Sequence, residues 1–291
     1  MTSAKILYLA RYRVPHAIMS LQPEFTRHLV GVDRTCIASP VPKDELWTVF
    51  EQYGVDTSNF DYAPDSEIYR LYPEVNNWVF DHDYRGWWLR QQAIKLAYRD
   101  LLEEDVILMH DCDTFMIEPY RCWDGEQLNY LVIPDTKHGS YNGVFESITG
   151  LPEASPHCFV TELVPVLRTH WLELRKLLAQ RWPNKLWLNA IIDAVPGMPT
   201  IPPWGTGEII KWFSEYELIG NWAACCDPVN YTFQKRFEYN QLELLSTLDA
   251  REFNAVCDAV PDLSQSMQLD WDTLDIPNFA HYQHMVKQCT Q

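Results

Sequence analysis

The chain has 291 residues, of which 47% are hydrophobic and 13% aromatic, so it can bury a sizeable core and is not a disordered protein. Its formal net charge of −17 at pH 7 opposes non-specific binding to nucleic acids and anionic membranes. No stretch reaches the roughly 20 apolar residues that a membrane span needs, and the N-terminal segment does not resemble a secretory signal. We therefore expect a soluble, cytoplasmic protein without a membrane span.

Eight cysteines occur without a CxxC pair and without regular spacing, which favours reduced thiols over a disulfide framework. The adjacent Cys225 and Cys226 leave a vicinal redox pair open as the alternative to ordinary burial.

The first third of the chain alternates between two kinds of segment. Residues 5–10 and 35–40 predict strands, residues 15–30 have helical spacing with an internal proline, and residues 44–54 predict a short helix that ends at its glycine. This order is typical of the beginning of a βαβ fold.

The next segments predict a helix followed directly by a buried strand. Apolar residues recur at close to a 3.6-residue period over 85–102, which indicates a helix. Residues 106–109 are apolar on both faces, as in a strand covered by helices in a mostly parallel sheet, and residues 129–134 predict another strand.

The second half is expected to be mainly helical. Residues 159–182 and 185–195 have helical patterns, and residues 196–207 form a proline- and glycine-rich linker or active-site loop. A further helix is predicted over 213–222, where Ser214 and Glu217 have the spacing of a capping box.

An aspartate pair follows the buried strand. Asp111 and Asp113 are two residues apart, so on a strand they project to the same side and can converge on one cation. Asp81/Asp83 and Asp270/Asp272 have the same spacing, but only the first pair follows a fully apolar strand, where ligands of open α/β sheets bind. The alternative is a pair of strand-end aspartates that cap a loop.

Four segments carry a resemblance to a known group of enzymes. The stretch WWLRQQAIKLAYRDLLEEDVILMHDCDTFM looks like the helix and DxD strand of GT-A glycosyltransferases. More narrowly, QQAIKL, DCDTF, HCFVTEL and FSEYELIGNW occur in the order seen in a poorly characterised GT-A family that has a SEYELYG motif. The similarity covers roughly residues 80–225 and departs at Ile219, where that family usually has tyrosine.

The resemblance implies a single GT-A domain, with an α/β, Rossmann-like, mostly parallel sheet flanked by helices. Residues 1–135 would form the nucleotide-sugar-binding half and residues 136–291 the acceptor-binding half. Asp113 would be the main metal ligand, and Asp111 would contact the ribose or a metal-bound water. A third ligand would come from His281, with His284 as the alternative. The ion would be Mn²⁺ or Mg²⁺, and neutral imidazole suits Mn²⁺ better.

The donor would be a nucleotide sugar, with a UDP-sugar favoured. Ala10, Arg11 and Tyr12 follow the first strand, where such folds receive the nucleoside. Gln92 and Lys95 share a helix face and could reach the donor phosphate or sugar, although a solvated helix face is the alternative.

Catalysis and acceptor binding are assigned to the second half, alongside Asp113. Glu215 is the candidate base, and its alternative role is to favour the dipole of a capped helix. The candidate acceptor-side residues, for which packing is the alternative role, are His157, Glu162, Trp204 and Trp222.

The acceptor would be a hydroxyl group, on a glycan or on a hydroxymethylated base of DNA; the latter needs a local basic groove, for which Arg85, Arg90 and Arg99 are candidates. No obligate protein partner is inferred.

A rival reading is a haloacid-dehalogenase-like phosphatase with Asp111 as nucleophile, but that motif demands Thr or Val where this chain has Phe115. A non-catalytic nucleotide-sugar-binding protein is the other alternative.

Overall fold

The computed structural model describes residues 4–9, 17, 21, 26–52, 54–73, 75, 84–111, 119–134, 141, 143–161, 163–194 and 213–233. The elements in these ranges, in chain order, are β1 (Ala4–Leu9), β2 (Val32–Ser39), α1 (Lys43–Gln52), β3 (Phe60–Pro64), α2 (Asp65–Leu71), α3 (Tyr84–Leu101), β4 (Val106–Asp111), β5 (Asn129–Val132), α4 (Val144–Thr149), β6 (Leu163–Leu167), α5 (Arg168–Arg181), α6 (Trp187–Ala194), α7 (Glu215–Cys226) and β7 (Asn230–Phe233).

The described strands form a five-stranded sheet in the order β3-β2-β1-β4-β6, and a two-stranded sheet of β5 and β7. The pairs β2–β3, β1–β2 and β1–β4 are parallel, whereas β6 runs antiparallel to β4. The mostly parallel α/β fold flanked by helices that the sequence predicts is therefore confirmed.

The predicted buried strand lies in the interior of the sheet, between β1 and β6. Val106, Ile107, Leu108 and Met109 have no exposed surface, because β4 is paired on both edges and covered on both faces. Helix α3 precedes it, as its 3.6-residue period predicts, and its residues 92–99 are buried on all faces of the helix. The predicted strands of β1, β2 and β5 and the helices α1, α6 and α7 are also confirmed.

The helix predicted over residues 159–182 is wrong in its first part. Leu163–Leu167 is a strand, and the helix begins only at Arg168. Pro165 explains the difference, since it cannot donate a helical hydrogen bond and its ring clashes with the preceding turn, while Val164 and Val166 favour a strand. The sequence analysis also did not predict β3, α2, α4 and β7. The helix predicted over 15–30 and the loop at 196–207 lie largely or wholly outside the described residues.

None of the helices in the described ranges combines the length and the apolar character that crossing a bilayer requires. The described cysteines are free thiols, and they include the adjacent Cys225 and Cys226.

Candidate functional site

Asp111 is the last residue of β4, and it lies beside the end of β1. In the register of these parallel strands Asp111 is the partner of Leu9, after which the chain continues into Ala10, Arg11 and Tyr12. Those three residues, like Asp113, lie outside the described part of the chain. The Asp111 side chain is 18% exposed, so a partly accessible carboxylate stands at the carboxyl edge of the sheet, where α/β folds bind ligands.

A buried lysine from α3 contacts this carboxylate. Lys95 Nζ forms an ion pair with Asp111 Oδ1 and a second ion pair with Glu215 Oε1 at 2.6 Å. It also donates to the Tyr216 hydroxyl at 2.8 Å. The ammonium therefore joins the strand that carries Asp111 to the first turn of α7.

Burial and charge act in opposite directions on this cluster. Burial lowers the pKa of Lys95, but the Asp111 and Glu215 carboxylates outweigh it, so the net pKa is raised. For Glu215, burial raises the pKa, the Lys95 ammonium lowers it, and Asp111 raises it, with a net upward shift. The side chains of Lys95 and Glu215 are only 2% and 1% exposed. The two carboxylates and one ammonium carry a net charge of about −1 when all are ionised.

Two glutamines of α3 complete the cluster. Gln91 Nε2 donates to Asp111 Oδ1 at 3.3 Å, and Gln92 Oε1 accepts from the Glu215 backbone N–H at 3.1 Å. Gln92 therefore binds the start of α7, and the structure brings it together with Lys95, Asp111 and Glu215. Gln91 and Tyr216 were not predicted as site residues from the sequence, although they lie in the QQAIKL and FSEYELIGNW motifs.

The rest of the FSEYELIGNW motif holds the segment 154–159 in place. Ser214 Oγ accepts from the Glu217 N–H at 3.3 Å, as the predicted cap requires. Glu217 Oε1 accepts from the Phe159 N–H at 3.1 Å. Asn221 Oδ1 accepts from the N–H groups of residues 154 and 155 at 3.2 and 3.3 Å. Gly220 packs against the Phe159 ring, where a Cβ atom would lie 2.7 Å from Cδ2 and closer still to Cγ.

The candidate acceptor-side residues lie in different environments. His157 is half-buried, with its ring 5.1 Å from that of Tyr231 and 5.3 Å from that of the exposed Phe233. Trp222 is buried, and its Nε1 donates to the His170 carbonyl at 2.6 Å, which is a packing contact. Glu162 and Trp204 lie outside the described residues. The acceptor-binding roles of all four stay predictions.

The Asp111 carboxylate is a suitable type of ligand for a hard divalent ion. It offers a carboxylate oxygen, and both of its contacts within the described ranges use Oδ1 rather than Oδ2. The described residues contain no group of three or more His, Cys, Asp and Glu side chains that could hold a metal. The predicted ligands Asp113 and His281 lie outside those residues.

The basic groove that a DNA acceptor would need does not include Arg99, so that suggestion was wrong. Arg99 is buried, and its guanidinium donates to the carbonyls of residues 102, 104 and 105 at 2.8, 2.6 and 3.1 Å. It binds the segment that connects α3 to β4, whose backbone carbonyls lie outside both the helix and the strand. Arg90 donates to the Val75 carbonyl at 3.1 Å.

No protein-family model matches the chain, and no curated protein matches it. Among solved structures it is similar to the galactosyltransferase LgtC in complex with donor and acceptor sugar analogues, with 12% identity, a TM-score of 0.40, and coverage of 65% of this chain and 69% of that chain. It is also similar to glucosyl-3-phosphoglycerate synthase from Mycobacterium tuberculosis in complex with Mn²⁺, uridine diphosphate and phosphoglyceric acid, with 12% identity, a TM-score of 0.29, and coverage of 65% and 66%. Identities and TM-scores as low as these carry no argument about the function of this chain.

Proposed function

We propose that this protein is a cytoplasmic, metal-dependent glycosyltransferase of the GT-A type, which transfers a sugar from a nucleotide-sugar donor to a hydroxyl acceptor. The observation that carries the proposal is the partly exposed Asp111 carboxylate at the carboxyl edge of a mostly parallel sheet, fixed there by the buried Lys95. Asp111 is the first residue of DCDTF, one of the four ordered motifs of the GT-A resemblance. Within the described residues, QQAIKL contacts this aspartate and FSEYELIGNW, and FSEYELIGNW in turn contacts HCFVTEL.

The reaction leaves a nucleotide diphosphate. A bond forms between the acceptor oxygen and the anomeric carbon, the bond from that carbon to the diphosphate oxygen breaks, and the diphosphate leaves with the electron pair. The acceptor proton passes to a base or to water. A bound Mn²⁺ or Mg²⁺ supplies Lewis-acid stabilisation of the leaving group. Asp113 and His281 would hold that ion, and Asp111 would contact it directly or through water or the ribose.

The donor is proposed to be a UDP-sugar whose nucleoside lies beyond β1, at Ala10, Arg11 and Tyr12. We propose a glycan hydroxyl as the acceptor, because neutral sugars stack on aromatic rings and the rings of His157 and Phe233 lie together at the surface. A DNA acceptor has less support, because Arg99 and Arg90 are bound to backbone carbonyls.

The test is release of free nucleotide diphosphate from a panel of UDP- and GDP-sugars in the presence of Mn²⁺. We expect release by the wild type, its loss on chelation of the metal, and its loss in Asp113→Ala. The matched control is Asp272→Ala, which removes one carboxylate from the Asp270/Asp272 pair of the same spacing and is expected to retain release.

Two outcomes would contradict the proposal. Release of inorganic phosphate from generic phosphoesters, abolished by Asp111→Asn, would instead identify the phosphatase. Binding of Mn²⁺ and UDP-sugar with no turnover for any tested sugar or acceptor would identify a non-catalytic binding protein.

A further inference from the structure

We propose that Lys95 and Glu215 are a positioning pair that fixes the Asp111 carboxylate, and that neither contacts the donor or the acceptor. This inference rests on the proposed function, because it names how that site is held in its working geometry. It replaces the roles of donor ligand for Lys95 and acceptor base for Glu215 that the sequence alone suggests.

The hydrogen-bonding capacity of Lys95 is already used. An ammonium group has three N–H donors and no acceptor. Its three partners are Asp111 Oδ1, Glu215 Oε1 and the Tyr216 hydroxyl, and the side chain is 2% exposed. A donor phosphate could be bound only by breaking one of these contacts, which would leave a buried acceptor without its partner.

Glu215 is equally unsuited to act as a base on an acceptor hydroxyl. Its side chain is 1% exposed, and Oε1 is ion-paired with Lys95 at 2.6 Å. Its own N–H is held by Gln92 at 3.1 Å, so the residue is attached to α3 through both main chain and side chain. A base must lie within hydrogen-bond reach of the proton that it abstracts, and this carboxylate faces the protein interior.

The geometry instead orients Asp111. Lys95 and Gln91 both bind Oδ1, so they select one side-chain orientation, and within the described part of the chain no hydrogen bond or ion pair to Oδ2 competes with a ligand. Glu215 holds the ammonium from the opposite side and, through Gln92 and the first turn of α7, ties it to a second element. Rotation of Asp111 would therefore break its contacts with both Lys95 and Gln91.

A double substitution separates the effect of the net charge of the cluster from the effect of the orientation of Asp111. Lys95→Met changes the net charge of the cluster from about −1 to about −2, and Glu215→Gln changes it to about 0. The double variant Lys95→Met/Glu215→Gln restores the charge of about −1, but it lacks the ammonium that holds Asp111. The control Lys185→Met breaks an exposed lysine–aspartate pair, in which Nζ lies 2.7 Å from Asp193 Oδ2.

The experiment measures kcat and donor KM for nucleotide diphosphate release, and Mn²⁺ binding in the presence of UDP by the loss of the free Mn²⁺ electron paramagnetic resonance signal. For the double variant we expect kcat to fall by up to about 10²-fold, since small misplacements of reacting groups have effects of this size. Donor KM, measured at saturating Mn²⁺, should stay within about 3-fold, because an interaction that acts on the transition state lowers kcat alone. The affinity for Mn²⁺ at saturating UDP should weaken, and Lys185→Met should match the wild type.

Several results would overturn the inference. Wild-type kcat and Mn²⁺ binding in the double variant would show that only the net charge matters, and a large rise in donor KM with little change in kcat would show that Lys95 binds the donor. If variants of Lys95 do not fold, Glu215→Gln alone decides. A reduced kcat together with weaker Mn²⁺ binding supports the positioning role, whereas a reduced kcat with wild-type Mn²⁺ binding is the result expected of a base and would overturn the inference. A wild type that neither binds Mn²⁺·UDP nor releases nucleotide would instead overturn the proposed function, and this inference with it.

Discussion

At the scale of single residues, Lys95 is the most constrained side chain of the described site. It is a cation without solvent access that is shared by two carboxylates, Asp111 and Glu215, the second of which lies 120 residues further along the chain than the lysine. Breaking a buried ion pair by removing one partner is costly because the remaining charge is left unpaired, whereas replacing both partners by neutral groups is often close to neutral.

Lys95→Met should therefore lower the free energy of unfolding by about 3–5 kcal/mol. Lys95→Met/Glu215→Gln should recover part of this loss, since the buried carboxylate of residue 215 is then neutral. Urea denaturation of both variants measures the difference. Lys185→Met is the control, since exposed pairs contribute about 0–1 kcal/mol. A loss in Lys95→Met as small as in the control would show that the ammonium is not buried as described.

The buried thiol of Cys36 predicts a pH dependence of the free energy of unfolding that does not involve the candidate site. Its pKa is raised to about 12, mainly by burial, whereas a thiol in the unfolded chain titrates near 8.5. The unfolded chain releases the proton first, so the folded state binds more protons and stability falls as pH rises above about 8.5. At pH 10 the loss from this thiol is about 2 kcal/mol.

Cys36→Ala should flatten the decline of stability between about pH 8 and pH 10, measured by urea denaturation across that range. The decline should not vanish, because burial also raises the pKa of Cys122 to about 12. An unchanged slope in Cys36→Ala would contradict the burial of this thiol.

At the scale of elements, α7 is the connection between the two parts of the site. Glu215 at its start binds α3, whereas Glu217 and Asn221 bind the segment that ends at Phe159. Gly220 allows the close approach, because the Phe159 ring occupies the space that a Cβ atom would take.

Gly220→Ala is expected to destabilise the protein by about 1–3 kcal/mol through overpacking. The sign of the change in the free energy of unfolding is informative, since the same substitution in an unobstructed helix interior stabilises a protein by about 1 kcal/mol. Phe159→Leu in the Gly220→Ala background should recover part of the loss, and a thermal or urea denaturation series checks both variants. A stabilised Gly220→Ala would show that the helix and the ring are further apart.

Elements with a strong internal pattern could be predicted from the sequence. The helix α3 and the strand β4 follow from a 3.6-residue period and from a run that is apolar on both faces. The strand β6 was missed, although Pro165 signals against a helix, because its five residues lie directly before a helix and their apolar spacing continues that of the helix. Its pairing partner is β4, more than fifty residues earlier, and local spacing does not record that pairing.

The individual residues of the site could be predicted from the sequence, but the contacts between them could not. Asp111, Gln92, Lys95 and Glu215 were each selected from strand-end position, helix face or capping position. Their mutual contacts cross 120 residues of sequence, and the face of α3 that carries Lys95 could as well have been solvated. Only the packing of α7 on α3 makes that face interior, which changes the chemistry expected of both charged groups.

At the scale of the whole molecule, the dominant feature is the formal net charge of −17. Self-repulsion of a highly charged chain destabilises the compact state, and salt weakens that repulsion as the Debye length falls from about 30 Å at 0.01 M to about 8 Å at 0.15 M. The urea midpoint should therefore rise over this range of NaCl concentration. A midpoint that falls with salt would show that attractive ion pairs outweigh the repulsion.

The same charge predicts that duplex DNA, with or without hydroxymethylated bases, is not retarded by the protein in a low-salt gel shift. Low salt is the stringent condition, since phosphate contacts are strongest there. Retention of the modified duplex alone would revive DNA as the acceptor and would place a basic surface outside the described residues.

The two outer strands of the five-stranded sheet, β3 and β6, each contain a proline, Pro64 and Pro165. Proline offers no amide hydrogen to an incoming strand, and the carbonyl of Pro165 already accepts from the Tyr130 hydroxyl at 2.9 Å. Sheet extension between molecules, the usual route from an open edge to aggregation, is thus hindered on both sides. Filament formation should therefore be rare in concentrated solutions of this protein. Pro165→Val restores an amide hydrogen on an outer strand and should increase it.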